Sequence, residues 1–251
     1  MSMTHRSVTG RLVAARLAPA LAALLIVAAC SASSATPADS IPPVGSIAPS
    51  AAPSESHPPE ASYPPGCPTK QPAALPAGQA RTVTLTTDKG DIVIKVDGSL
   101  SPIAAGNFVA LVDCGYYNGV VFHRIVPKFV IQGGDGTYGR QPDVNPDYVG
   151  FGGAPYTIKD EPVHTPYVRG TVAMARTDKP NSATSQFFIV LDDSAGATLG
   201  KPNGPNNYQI FGSVTSGMDV VDTIGGGPNS GSPNYLATNP VTITKATATS
   251  P

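Results

Sequence analysis

The chain has 251 residues, a formal net charge of −1 and only 13% charged residues, against 26 Gly and 27 Pro. Its length fits one domain with appendages, or two small domains. A chain so short of cations lacks the basic surface that neutralising phosphates requires, which excludes nucleic acid as its main partner.

The first thirty residues read as a targeting segment. Arg6, Arg11 and Arg16 precede an apolar run from Leu17 to Ala29. The run falls short of the roughly 20 residues a spanning helix needs and suits the core of a signal peptide. It ends in Val27-Ala28-Ala29-Cys30. That tetrapeptide resembles a bacterial lipobox, which implies removal of residues 1–29 and lipidation of Cys30; a plain secretory signal with an incidental cysteine is the other reading. Processing removes three arginines and shifts the net charge of −1 to −4. The expected location is extracytoplasmic, with the chain lipid-anchored to the outer face of a bacterial cell membrane. Cys67 and Cys114 then remain in an oxidising setting, either bridged to each other or as two free thiols.

Residues 30–80 are dominated by Ala, Pro and Ser, and cannot bury enough apolar surface to offset the entropy of ordering. They read as a disordered tether with a reach of about 40 Å. The folded domain is expected over 81–251. Thr82 to Thr87 and Asp91 to Val96 alternate apolar and polar residues around a Gly90 turn, a β-hairpin pattern. Ser101 followed by Pro102 predicts a helix start with a side-chain cap, and Ala104, Phe108, Leu111 and Val112 recur at helical spacing up to Gly115.

Two short apolar runs, Val120 to Val126 and Phe129 to Gln132, flank Pro127-Lys128 and close on Gly133-Gly134-Asp135. They predict strand, tight turn, strand. Alternation along the first strand puts Arg124 opposite His123 and Ile125. A lone arginine there could simply extend its guanidinium into water. After a long loop over 136–166, strand-like pieces recur at 170–175, 186–191, 209–214 and 241–246, with a second short helix around Val220, Val221 and Ile224. Many short strands with two helices argue for a mainly β fold, a closed antiparallel barrel.

Several chemical motifs fail on their context. Gly134-x-Gly136-x-x-Gly139 has the dinucleotide string, but Pro142 and Pro146 stand where a helix must open. His5, His57, His123 and His164 show no zinc-ligand spacing, and Ser185 has no nucleophile elbow. Asp160-Glu161 reads as a solvated loop. No metal or cofactor is expected.

Three segments remain. Phe122-His123-Arg124 runs on through Phe129 and Val130 to Gln132-Gly133-Gly134-Asp135. Val172 to Arg176 is followed by Pro180-Asn181 and Ser185-Gln186-Phe187-Phe188. Tyr208 to Val214 is the third. In this order and with these gaps the chain resembles the cyclophilin family of peptidyl-prolyl cis–trans isomerases over about residues 81–247. The resemblance implies an eight-stranded antiparallel barrel capped by two helices, with a peptide groove on its outer face. It makes Arg124 the catalytic arginine, Phe129, Val130 and Phe188 the proline pocket, and Gln132 the amide that holds the peptide carbonyl. Gln186 and the backbone of Ala175, Arg176 and Thr177 correspond to the rim along which an extended substrate pairs. Gly150 lets the peptide lie close, and Leu199 and Tyr208 form the far wall. The chain departs from the pattern in having no Trp, Val130 where methionine is frequent and Tyr208 where histidine is frequent. The implied substrates are proline-containing segments of unfolded or exported proteins, bound by a monomer without a cofactor. A lipid-anchored proline-peptide binding module, or an envelope scaffold with incidental catalysis, is the alternative.

Overall fold

The computed structural model of the chain describes residues 63–205 and 207–250. The signal segment, Cys30 and the tether as far as residue 62 lie outside the described residues. Eight strands form a closed, wholly antiparallel barrel. They are β1 (Ala80–Thr87), β2 (Gly90–Asp97), β3 (Val121–Val126), β4 (Val130–Gly133), β5 (Thr171–Met174), β6 (Phe187–Val190), β7 (Ile210–Ser216) and β8 (Leu236–Thr249). The spatial order is β1-β2-β7-β5-β6-β4-β3-β8, with β8 returning to β1. Thus the expected eight-stranded barrel is present, although its last strand runs well beyond the expected 241–246.

The interior follows from alternation. Val83 and Leu85 on β1, and Ile92, Ile94 and Val96 on β2, are fully buried in the main core. Helix α1 (Pro102–Asp113) adds Phe108, whose ring lies 5.3 Å from Phe187 and 4.7 Å from Phe211. Helix α3 (Met218–Gly225) packs Val220, Val221 and Ile224 on the same core. Between them a short α2 (Gly196–Leu199), entered by a 3-10 turn at Asp193–Ala195, was not foreseen in a Gly/Pro-rich stretch. The described helices are therefore three, where two were expected.

Strict alternation breaks on β3. Phe122 and Ile125 both join the interior core, an odd spacing that a regular strand forbids. The pairing register to β4 shifts between Phe122 and Arg124, two steps on β3 matching one on β4, so one extra residue sits at His123. Such a bulge re-aims the side chains that follow it, here Arg124.

Two sequence expectations need correction. Pro102 opens α1 as expected, but Ser101 supplies no capping hydrogen bond. Glu161 does so instead: its carboxylate accepts from Ile103 N at 2.8 Å and Ala104 N at 3.0 Å. A carboxylate there also complements the positive end of the helix dipole. Asp160-Glu161 is thus a tertiary clamp and not merely a solvated loop, since Asp160 Oδ2 also accepts from Asn181 N at 2.8 Å.

The second correction concerns residues 63–80, which belong to the domain. Cys67 and Cys114 are joined as a disulfide, tying this strap to the end of α1. Leu75 is buried, and its amide donates to Pro102 O at 2.9 Å. Tyr63 packs on the ring of Tyr116 with centroids 5.6 Å apart. The strap presses backbone directly on α1. A Cβ at Gly106 would collide with the Ala73 carbonyl, and one at Gly98 with the carbonyls of Leu75 and Pro76. A mid-helix glycine is unfavourable by about 1 kcal/mol relative to alanine, and close backbone approach is what offsets it here.

Candidate active site

β3 and β4 form a hairpin whose turn, Val126 to Phe129, is closed by Phe129 N donating to Val126 O at 3.0 Å. The hairpin register sets Arg124 opposite Gln132. β6 follows on the far side of β4, with Gln132 opposite Phe188, and β5 then pairs Ala173 with Phe188. The hairpin, β5 and β6 thereby bring sequence-predicted residues together from segments that are remote along the chain.

They form a second apolar cluster, separate from the barrel interior. Phe129, Val130, Ala175, Phe188, Leu199 and Tyr208 all belong to it. The Phe188 and Tyr208 rings meet edge-on at 5.5 Å and 87°. Arg176 lies over the other part of this wall, its guanidinium carbon 5.5 Å from the Tyr208 ring centre. Its Nη1 donates to Thr177 O at 2.9 Å. Thr177 itself is exposed, its amide donating to Ser182 Oγ at 3.1 Å.

A polar line borders this cluster. Arg124 Nη1 donates to Gln132 Oε1 at 3.4 Å, and Gln132 Nε2 donates to Gln186 Oε1 at 2.9 Å. Gln186 Nε2 donates in turn to the carbonyls of Gly150 at 2.8 Å and Gly152 at 2.7 Å. Expected residues Arg124, Gln132, Gln186 and Gly150 thus form one continuous chain.

Arg124 does not extend into water: it is 0% exposed. Among the described residues, its Nε and Nη2 have no hydrogen-bond partner. Burial pulls its pKa down to about 10, which still leaves it cationic at neutral pH. A buried guanidinium with unfilled donors is costly unless something else fills them.

Asp135, quoted in the motif but given no role from sequence, is the foundation of the site. Its buried carboxylate accepts from the amides of Thr137, Tyr138, Gly150 and Gly152 at 2.7 to 3.0 Å. One anion thereby ties the start of the long loop to its Gly150–Gly152 stretch. Tyr116 was likewise missed; its hydroxyl lies 2.8 Å from Ser185 Oγ and accepts from Gly136 N at 2.9 Å. Local sequence marks neither role, because the Tyr116 partners and the Gly150 and Gly152 amides held by Asp135 lie 15 or more residues away.

His123 is buried beside the site, and burial pushes its imidazole down to about 4, while the Arg124 charge opposes protonation and the Asp135 carboxylate favours it. In the unfolded chain the ring takes up its proton near pH 6.5. The folded state therefore binds fewer protons between those values, and stability is lost as the pH falls from about 6.5 towards 4. Urea unfolding at pH 7.5 and 4.5 is expected to show a loss on the order of 3 kcal/mol from this group. His123→Gln should shrink the difference; an equal pH dependence in both proteins contradicts the assignment.

Among the described residues, no three His, Cys, Asp or Glu side chains are grouped to hold a metal ion, and no helix is long and apolar enough to cross a membrane.

Comparison with known proteins gives a consistent picture. Residues 82–248 match the family described as cyclophilin type peptidyl-prolyl cis-trans isomerase/CLD. A probable peptidyl-prolyl cis-trans isomerase of Brucella abortus is 42% identical over 173 residues, covering 68% of this chain and 84% of that protein. Peptidyl-prolyl cis-trans isomerase B of Escherichia coli is 39% identical over 146 residues, covering 57% and 84%. A cyclophilin type isomerase of Cryptosporidium parvum, solved in the presence of the dipeptide Ala-Pro, superposes with a TM-score of 0.54 at 29% identity, covering 68% of this chain and 99% of that one. With the barrel, the three motif segments and the matched residues all in agreement, this chain belongs to the cyclophilin-type peptidyl-prolyl cis–trans isomerases.

Proposed function

We propose that this chain accelerates rotation about X-Pro bonds in exported proteins, from a lipid anchor at Cys30, with Arg124 as the catalytic group. The observation that carries the catalytic assignment is the buried, cationic Arg124 with two unfilled donor atoms beside an apolar cluster.

The chemistry follows from the amide. An X-Pro bond has little trans preference, but resonance raises a rotation barrier of about 18–20 kcal/mol. Twisting the bond localises the lone pair on the prolyl nitrogen, which becomes a hydrogen-bond acceptor. A guanidinium aimed at that nitrogen binds the twisted state and not the planar one. Phe129, Phe188, Leu199 and Tyr208 would hold the pyrrolidine ring, while Gln132 and Gln186 fix the peptide before it. No proton leaves the substrate and no covalent bond forms or breaks. Each 1.4 kcal/mol or so of selective stabilisation gives about tenfold in rate.

A protease-coupled assay on an X-Pro peptide tests the activity directly: rapid cis-to-trans conversion by the full chain is expected, and an uncatalysed rate overturns the reading. The anchor is tested apart from it. The wild type is expected to partition into detergent with membranes and Cys30→Ser to stay in the aqueous phase. Equal partitioning of the two removes the anchor.

A further inference from the structure

Among the described residues, Phe151 and Val168 are the exposed large hydrophobic residues, and Phe151 has 49% of its surface in water. It stands between Gly150 and Gly152, whose carbonyls both accept from Gln186. Its exposure is not that of a loose loop. Both flanking amides are held by the Asp135 carboxylate, and its own amide donates to Tyr148 O at 3.0 Å. Gly150 has φ +100°, and a Cβ at Gly152 would collide with the Asp135 carboxylate, so this backbone leaves little freedom on either side. The phenyl ring is thus held in water on a fixed support, where burial within the chain gains it nothing. The other exposed hydrophobic residue, Val168, has no comparable link to the polar line.

The polar line also gives a direction. The prolyl ring belongs at the apolar cluster by Arg124, and the peptide before it follows Gln132 and then Gln186. Gly150 and Gly152 come next, so Phe151 stands where the residues preceding X-Pro pass. We infer that Phe151 is a specificity-determining residue that selects peptides with a large apolar or aromatic side chain two or three residues before proline. This rests on the isomerase reading above. An aromatic pair formed at a partly wet surface should favour such a peptide by about five- to tenfold over one carrying alanine.

The test is a set of X-Pro peptides with alanine throughout, or with phenylalanine at the second or third residue before proline, assayed for kcat/KM with the full chain. In the wild type one phenylalanine peptide is expected to exceed the all-alanine peptide about five- to tenfold. Phe151→Ala should bring that ratio to about one, and Phe151→Tyr should keep it. A wild type without preference, or a ratio that Phe151→Ala leaves unchanged, overturns the inference while the isomerase reading stands. If no peptide is isomerised by the wild type, the isomerase reading fails first.

Discussion

Arg124→Ala will lower kcat/KM for X-Pro isomerisation by about a hundred- to a thousandfold, the range seen when one transition-state donor is removed. The barrel will stay folded. Arg124 Nη1 makes only a long bond to Gln132, 3.4 Å, and Nε and Nη2 make none within the described residues. Deleting the side chain therefore breaks little that stabilises the native state, and it removes a buried charge with no carboxylate paired to it among the described residues. Arg124→Lys keeps the charge but loses the planar fork, so most of the activity should go with it. Peptide kinetics and thermal melts on the same preparations separate the two effects. A folded Arg124→Ala protein with undiminished kcat/KM would falsify the catalytic assignment.

Reducing the Cys67–Cys114 bridge will destabilise the domain by about 4 kcal/mol, from the chain entropy released when residues separated by 47 positions are no longer tied. For a domain of this size that is a fall in Tm of about 10 °C. The strap has other anchors, the buried Leu75 and the Tyr63–Tyr116 ring contact. A paired Cys67→Ser, Cys114→Ser protein should therefore fold and isomerise at 25 °C, yet melt early. A chain begun at Arg81 loses all three anchors at once and should melt earlier still. Melts with and without reductant decide the point: an unchanged Tm means the bridge adds nothing.

The barrel was legible because β1 and β2 alternate cleanly, and because the motif segments fall in family order. The site was legible for the same reason, since Arg124, Phe129, Gln132, Gln186 and Phe188 each sit inside a motif. What escaped has a different physical character. Residues 63–80 carry no apolar period, so composition alone reads as tether; Cys67 and Leu75 are anchors too sparse to form a pattern. The available hint was Gly106, a glycine within the apolar stretch of a helix, which signals something pressed against it. Glu161 caps α1 from 58 residues away, and no local rule finds a cap at that distance. The bulge at His123 likewise depends on the pairing register with β4, not on its own sequence.

Closure of the barrel has a consequence for how a prolyl isomerase meets other chains. Every strand has a hydrogen-bonded neighbour on both sides, β8 closing the ring onto β1. An open sheet would present a row of unpaired amides and carbonyls, a template onto which an unfolded chain can add a strand and aggregate. The continuous sheet offers no such template. On the reading proposed above, a client that docks at the groove beside Arg124 would leave without any barrel strand being stripped from the sheet.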